Sequence, residues 1–253
     1  MIEQPGKLFI QEIRKAVNAL LPCVTPLFHV TENGEPELLG SSVLVNISGN
    51  VLLCTAKHVL ETATSSLYIN GPSKLEVLTG NFHRSKQHDI AVLKLTPEQV
   101  VTFRNYTPLS EDHIANKTQT MACHYVKFIG YPETRNRLNR IRRKFPNRIY
   151  AFGCTRLRIT PEEVRFKFDK HNMDATSHLR VRSPNPHGVS GGPIMGVSIS
   201  SESTIKGTPY PRLIGIATDY PDKSNEVFGP TCALLLATIK EGWPLPISSR
   251  LDR

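Results

Sequence analysis

The run Gly188-Val189-Ser190-Gly191-Gly192-Pro193, entered through Ser183-Pro184-Asn185-Pro186-His187, gathers the groups that carbonyl chemistry needs. A serine hydroxyl attacks a carbonyl well only if the chain turns sharply beneath it and backbone N–H groups converge on the oxyanion that forms. Gly188 can take backbone angles closed to other residues, which aims its N–H and that of Ser190 into one small space. Gly191 and Gly192 keep side-chain bulk away from an approaching substrate. A Gly-Ser turn is common in β proteins, but a simple turn does not require all six residues.

Two further motifs precede it. In Val51-Leu52-Leu53-Cys54-Thr55-Ala56-Lys57-His58, an apolar strand runs into small residues and then a histidine, so the imidazole emerges at the strand's end. One histidine after a strand is ordinarily a surface or capping residue. Beside an activated serine it becomes a general base. In His88-Asp89-Ile90-Ala91-Val92-Leu93, an acidic residue enters a buried strand and needs a hydrogen-bonding partner. The Nδ1–H of His58 would supply one, fixing the imidazole tautomer and stabilising the imidazolium. A strand-edge aspartate in an ordinary salt bridge fits the same residues.

The elements that must position these groups are β-rich. VTPLFHV, SSVLVNI, VLLCTA, SSLYI, KLEVLTG and DIAVLKL are short runs separated by Gly, Asn and Pro. YVKFIGYP, RIYAFGCTRLRI, EVRFKFD, HLRVRS, PIMGVSI and LIGIATDY repeat the texture after a looser stretch over 96–120. This reads as barrel or sandwich rather than alternating strands and helices. Leu8, Phe9, Ile13, Ala16, Val17 and Leu20 recur at helical spacing until Pro22, which predicts a short amphipathic N-terminal helix. CALLLATIKEGW predicts a closing helix with Gly242 and Pro244 as stop signals.

In chain order, TAKHVL, HDIAVLKL and GVSGGPI resemble the chymotrypsin-like serine peptidases. The resemblance is strongest to the disulfide-free bacterial branch with HtrA-type and glutamyl-endopeptidase-type protease domains. His, Asp and Ser follow that family's order rather than the order in subtilisins or α/β-hydrolases. The resemblance covers nearly the whole chain after residue 22. It implies an all-β fold of two six-stranded antiparallel barrels: an extension over 1–22, a first barrel over 23–110, and a second barrel with closing helix over 111–253. It also implies His58 as base, Asp89 as its orienting partner, Ser190 as nucleophile, and Gly188 with Ser190 as oxyanion hole. Thr218 falls where the family often has a hydroxyl bonded to the triad aspartate. Counting back from Ser190 puts the floor of the substrate pocket near Pro184, with His187, Thr218 and Asp219 around it. Pro184 offers no acidic anchor, which points to a small or apolar residue before the cleaved bond, although Asp219 on the wall leaves a basic one open. Val189 stands where digestive members carry an aspartate, so activation by a freed N-terminal amine has no partner here.

The implied activity is a serine endopeptidase acting on protein or peptide, constitutive or gated by a partner, without metal or cofactor. The contrasting expectation is a catalytically silent binding module using the arginine-rich loop 133–148, ETRNRLNRIRRKFPNR. Lys and Arg number 31 against 22 Asp and Glu, a net charge of +9. That balance favours an acidic protein face or nucleic acid at the loop, though a solvated charge run fits equally, and only Phe145 could stack on a base. Five cysteines, odd in number and far apart, give no C-x-x-C metal or redox pair and fit a reducing compartment. Glu12, Arg14 and Lys15 interrupt any leader-like apolar run, and no stretch reaches membrane-span length. The location expected from this is cytoplasmic.

Overall fold

The computed structural model describes residues 7–71, 74–138, 146–168, 171–173, 180–182, 184–198, 209–220 and 226–251. Helix α1 (Lys7–Ala19) buries Ile13 and Val17 and sets Phe9 edge-on to Tyr125 at 6.4 Å between ring centroids. Pro22 cannot continue the helix and instead sits in a 3₁₀ turn over Leu21–Cys23. Strands β1 (Val24–Val30), β2 (Pro36–Ile47) and β3 (Asn50–Thr55) follow as an antiparallel meander. The β2–β3 hairpin turns on Ser48 and Gly49, both at positive φ (50° and 78°), the geometry that matches strand twist.

Helix α2 (Lys57–Glu61) leaves the end of β3. Strands β4 (Tyr68–Asn70), β5 (Leu75–Val77), β6 (His83–Arg84) and β7 (Ala91–Lys94) complete a seven-stranded sheet in the order β5-β4-β1-β2-β3-β7-β6. Two short helices span the looser stretch, α3 (Pro97–Thr102) and α4 (Lys117–Met121). Each opens on a reciprocal cap, Thr96 with Gln99 and Asn116 with Gln119.

The second half contributes β8 (Cys123–Gly130), β9 (Tyr150–Ile159), β10 (Glu163–Phe168), β11 (His171–Met173), β12 (Arg180–Arg182), β13 (Pro193–Ser198), β14 (Arg212–Ile216) and β15 (Glu226–Pro230). Six of these form a sheet in the order β14-β13-β8-β9-β10-β15, while among the described residues β11 and β12 form a two-stranded sheet. The chain closes with α5 (Cys232–Gly242).

The all-β expectation holds, with helices at both ends, but the strand count and closure differ. The sheets have seven and six strands and are not closed by continuous ladders. In the second sheet, isolated bridges Gly215–Thr231 and Asp219–Phe228 draw β14 towards β15. A side chain at Gly215 would meet Pro230 O at 2.5 Å, so glycine is what lets the strands approach there. Such bridges leave the barrel a partly open coil.

One core is common to both halves. Val43, Val45, Cys54 and Val92 of the first sheet pack with Ile129, Met195, Leu213 and Ile216 of the second, and with Leu235 and Ile239 of α5. Leu44, Leu53 and Leu93 belong to a separate cluster on the other face of the first sheet. Successive side chains on a strand point to opposite faces, so β2 and β3 are buried on both. This explains their uninterrupted apolar runs. In the second sheet Phe128 stacks on Phe152 at 4.4 Å and meets Phe166 at 5.3 Å. The last residues fold back across the molecule. Ser48 Oγ donates to Pro246 O, Arg250 pairs with Asp112, and Leu251 is buried in the shared core. Cys23, Cys54, Cys123 and Cys232 are buried free thiols, and burial raises those of Cys23 and Cys54 well above the ordinary range. No helix among the described residues is long and apolar enough to cross a membrane.

Candidate active site

The register of β3 against β7 brings two of the three motif residues together. Thr55 pairs with Ala91, so the chain leaves β3 where it enters β7. His58 lies three residues beyond that point and Asp89 two before it. Asp89 Oδ2 accepts from His58 Nδ1 at 2.6 Å, and its Oδ1 accepts from the His58 backbone N–H at 2.9 Å. Two contacts from one residue fix the carboxylate relative to both ring and backbone. His58 lies in the first turn of α2 rather than on the strand itself, which explains how its N–H is free to reach Asp89.

Each group stabilises the charged form of the other. The Asp89 hydrogen bond raises the His58 pKa above 6.5, burial opposes it, and the charges of Asp89, Asp219 and Glu61 add to the rise. For Asp89 burial pulls upward, but the hydrogen bonds from the His58 ring and N–H and from the Lys57 backbone outweigh it, leaving the carboxyl below 3.8.

Ser190 lies on the turn that enters β13. Gly188 and Gly191 have φ of +88° and +86°, in the left-handed region where a Cβ is strained. Gly191 presses on the end of β3: an added Cβ would stand 2.1 Å from both Ser41 O and Thr55 Oγ1, and 3.0 Å from Ala56 N. The Ser190 turn therefore rests against the segment that carries His58. Its far side is tied to β14, with Gly191 N–H donating to Ala217 O and Ala217 N–H donating to Gly192 O. No hydrogen bond joins the Ser190 hydroxyl to the His58 ring.

The peptides around Ser190 are oriented by their carbonyls. His187 O accepts from Glu133 N–H at 2.7 Å, and Val189 O accepts from Gly192 N–H at 2.9 Å. In a trans peptide the N–H points opposite to the C=O. The Gly188 and Ser190 N–H groups are thus turned away from those partners, and neither has a hydrogen-bond acceptor among the described residues.

Ser41 holds this turn and leaves no mark in the sequence beyond a serine in an apolar strand. It is fully buried on β2. Its N–H donates to Ser190 O at 2.8 Å, and its Oγ donates to Gly188 O at 2.9 Å while accepting from Tyr131 N–H at 2.9 Å. Its carbonyl accepts from Thr55 Oγ1 at 2.8 Å. One residue thereby joins the Ser190 turn, the end of β8 and β3.

Beside Ser190 lies a small pocket lined by Pro186, Val189, Ala217, Asp219, Tyr220 and Val227, with Phe128. Its water-accessible volume is ≈ 10 Å³, about the room one water molecule occupies. Of the four residues expected around it, Asp219 lines it. Pro184 is buried elsewhere and Pro186 takes its place, because the turn closed by Val189 N–H on Pro186 O folds the chain back where counting assumed extension. His187 stands outside with its ring edge-on to Tyr220 at 5.9 Å. Thr218 Oγ1 donates to Phe228 O at 3.4 Å, not to Asp89, because the Asp219–Phe228 bridge draws that carbonyl over it. Among the described residues no group of three His, Cys, Asp or Glu is arranged to hold a metal ion.

Of the arginine-rich loop, residues 139–145 lie outside the described residues. In its described part, Arg137 pairs with Glu133 at 3.4 Å, and buried Asn136 accepts from Arg148 N–H at 2.7 Å.

The fold is that of the chymotrypsin-like serine peptidases. The chain is similar to Rv3671c from M. tuberculosis H37Rv, solved as an inactive form with a serine replaced by alanine, at TM-score 0.52 and 11% identity. That match covers 95% of this chain and 96% of the other. It is also similar to an HtrA-type protease, AlgW, carrying a serine-to-alanine replacement and solved with a tripeptide, at TM-score 0.53 and 18% identity. Here 90% of this chain spans 62% of that protein. No protein-family model and no curated protein sequence matches the chain.

Proposed function

We propose that this chain is a serine endopeptidase in which Ser190 is the nucleophile, His58 the general base and acid, and Asp89 the group that holds His58. The observation that carries the reading is the double contact of Asp89 with the His58 ring and backbone, beside a serine turn braced on the end of the same strand. Nδ1 is occupied by Asp89, so Nε2 is the nitrogen available to Ser190. In the scheme, the Ser190 hydroxyl adds to the substrate carbonyl and passes its proton to His58 Nε2. Asp89 stabilises the imidazolium, and the N–H groups of Gly188 and Ser190 receive the oxyanion. His58 then protonates the departing amine, leaving an acyl-serine. Water, deprotonated by His58, hydrolyses that ester and restores Ser190.

The small pocket supports a preference for a small side chain, such as Ala, before the cleaved bond. The Gly188 and Ser190 N–H groups have no internal acceptor among the described residues, which leaves them to receive the oxyanion in this reading. The test is covalent labelling of the purified chain by a fluorophosphonate, followed by hydrolysis of short peptides carrying Ala or Phe before the bond. Labelling that vanishes in Ser190→Ala with circular dichroism unchanged supports the assignment. Equal labelling of both proteins, or none of the wild type, would overturn it.

A further inference from the structure

Helix α2, which carries His58, is only 5 residues long. A helix that short has too few hydrogen bonds of its own to hold a direction, so its ends decide where the imidazole points. The leading end is fixed by Asp89, which accepts from the His58 ring and N–H. The trailing end runs into Thr62, whose N–H donates to His58 O at 3.2 Å and whose Oγ1 donates to Val59 O at 3.0 Å. The next residues meet the end of β1. Thr64 N–H donates to His29 Nδ1 at 3.3 Å, and Thr64 Oγ1 lies 2.9 Å from the same nitrogen. Ser65 Oγ accepts from Val30 N–H at 2.9 Å. His29 itself is buried. Strand alternation puts it on the face of β1 that carries Leu27, where the apolar cluster includes Ala56 and Val59, on either side of His58. Accepting from an N–H marks Nδ1 as the bare nitrogen, so the proton of the neutral ring is on Nε2. That nitrogen lies 3.5 Å from Glu37 Oε2, a looser contact to a carboxylate open to water.

We infer that His29 is a positioning residue for the candidate active site: through Thr64 it holds the loop after α2 and so sets the direction in which His58 presents Nε2 to Ser190. The inference rests on the serine-peptidase reading, which is what makes that direction matter. His29 acts through the Thr64 contacts and the backbone of α2, not on substrate. Asp89 and His29 then hold the two ends of one short helix, the first from β7 and the second from β1. A general base works only within hydrogen-bond reach of the proton it takes, so a loose trailing end costs rate even while the Asp89 contacts stay intact.

Two replacements divide the ring. His29→Asn keeps an oxygen close to where Nδ1 stands, able to accept from Thr64 N–H. His29→Gln reaches to the Nε2 position instead, keeping a group for Glu37 and losing the one for Thr64. Each full-length variant is labelled with a fluorophosphonate at several concentrations, which separates the maximal rate from probe affinity, and urea titration gives the stability. Both variants lose the same buried ring and should be destabilised alike. The maximal labelling rate should fall about tenfold in His29→Gln, with probe affinity unchanged, because a small displacement of the base is costly. In His29→Asn it should return to within about threefold of wild type, which a role in stability alone would not produce. Thr64→Val, at an exposed position that leaves the core untouched, removes the hydroxyl contact and should lower the rate about threefold. Equal rates in the two His29 variants, a slower His29→Asn, or a Thr64→Val rate equal to wild type overturns the inference. Labelling of the wild type judges the peptidase reading separately: a labelled wild type with indifferent variants removes this inference alone.

Discussion

Replacing Ser41 by alanine separates a structural role from a catalytic one. The hydroxyl donates to Gly188 O and accepts from Tyr131 N–H. Its loss leaves two backbone groups without partners where water has little access, since Tyr131 is 7% exposed. Each unsatisfied group costs about 1–2 kcal/mol, so about 2–4 kcal/mol of stability is lost together. The same change frees the Gly188 carbonyl, and with it the orientation of the peptides around the oxyanion donors. Displacing one such donor costs about 10–100-fold in the chemical step. The control is its neighbour. Ser42 is equally buried but faces the other way, bonding Thr25 rather than the serine turn. Urea titration should show both Ser41→Ala and Ser42→Ala destabilised, while labelling rate per folded molecule falls only for Ser41→Ala. Two variants equal in labelling rate, or a Ser41→Ala change below about 0.5 kcal/mol, would refute the bracing role.

Further outcomes follow from the same geometry. His58 acts as a base only when neutral, and its pKa is raised above 6.5; labelling should therefore rise with pH with a midpoint above 6.5. Asp219 is one of the charges that raises it, so Asp219→Asn should move that midpoint down. The pair's contribution to stability follows the opposite limbs. The His58 share is complete below about pH 6.5 and fades as pH climbs through the raised value, while the Asp89 share is present above about 3.8 and fades as pH falls. Unfolding midpoints measured across this range should show the pair's largest effect between those limits. Gly191→Ala places a methyl 2.1 Å from Ser41 O and Thr55 Oγ1, at positive φ, and should yield little folded protein. Gly49→Ala, at φ +78° with no atom within 4 Å, should cost only the backbone strain, about 1 kcal/mol, by thermal melting.

The sequence disclosed those parts of the molecule that rest on local pattern. Most of the strand runs recur in the structure within a few residues, because β-branched runs between Gly and Asn turns have few other uses. His58 and Asp89 were legible as partners because a strand ending in a histidine and one beginning with an aspartate meet when those strands pair antiparallel. The capping boxes at Thr96-Pro97-Glu98-Gln99 and Asn116-Lys117-Thr118-Gln119 start two short helices that the weak periodicity of 96–120 conceals. What escaped depends on contacts distant in sequence. Ser41 matters through atoms 90 and 147 residues away. Pro186 rather than Pro184 lines the pocket because of one turn. Barrel closure depends on how far β14 twists towards β15, which no single strand encodes.

The brace on Gly191 has a consequence for the timing of synthesis. Its N–H is held by the carbonyl of Ala217. A chain emerging from the ribosome makes His58 and Asp89 early, but it cannot seat the serine turn until the strand leading to Ala217 has also been made. The turn at Ser190 is therefore set after the pair that faces it, by a segment that follows it in the chain.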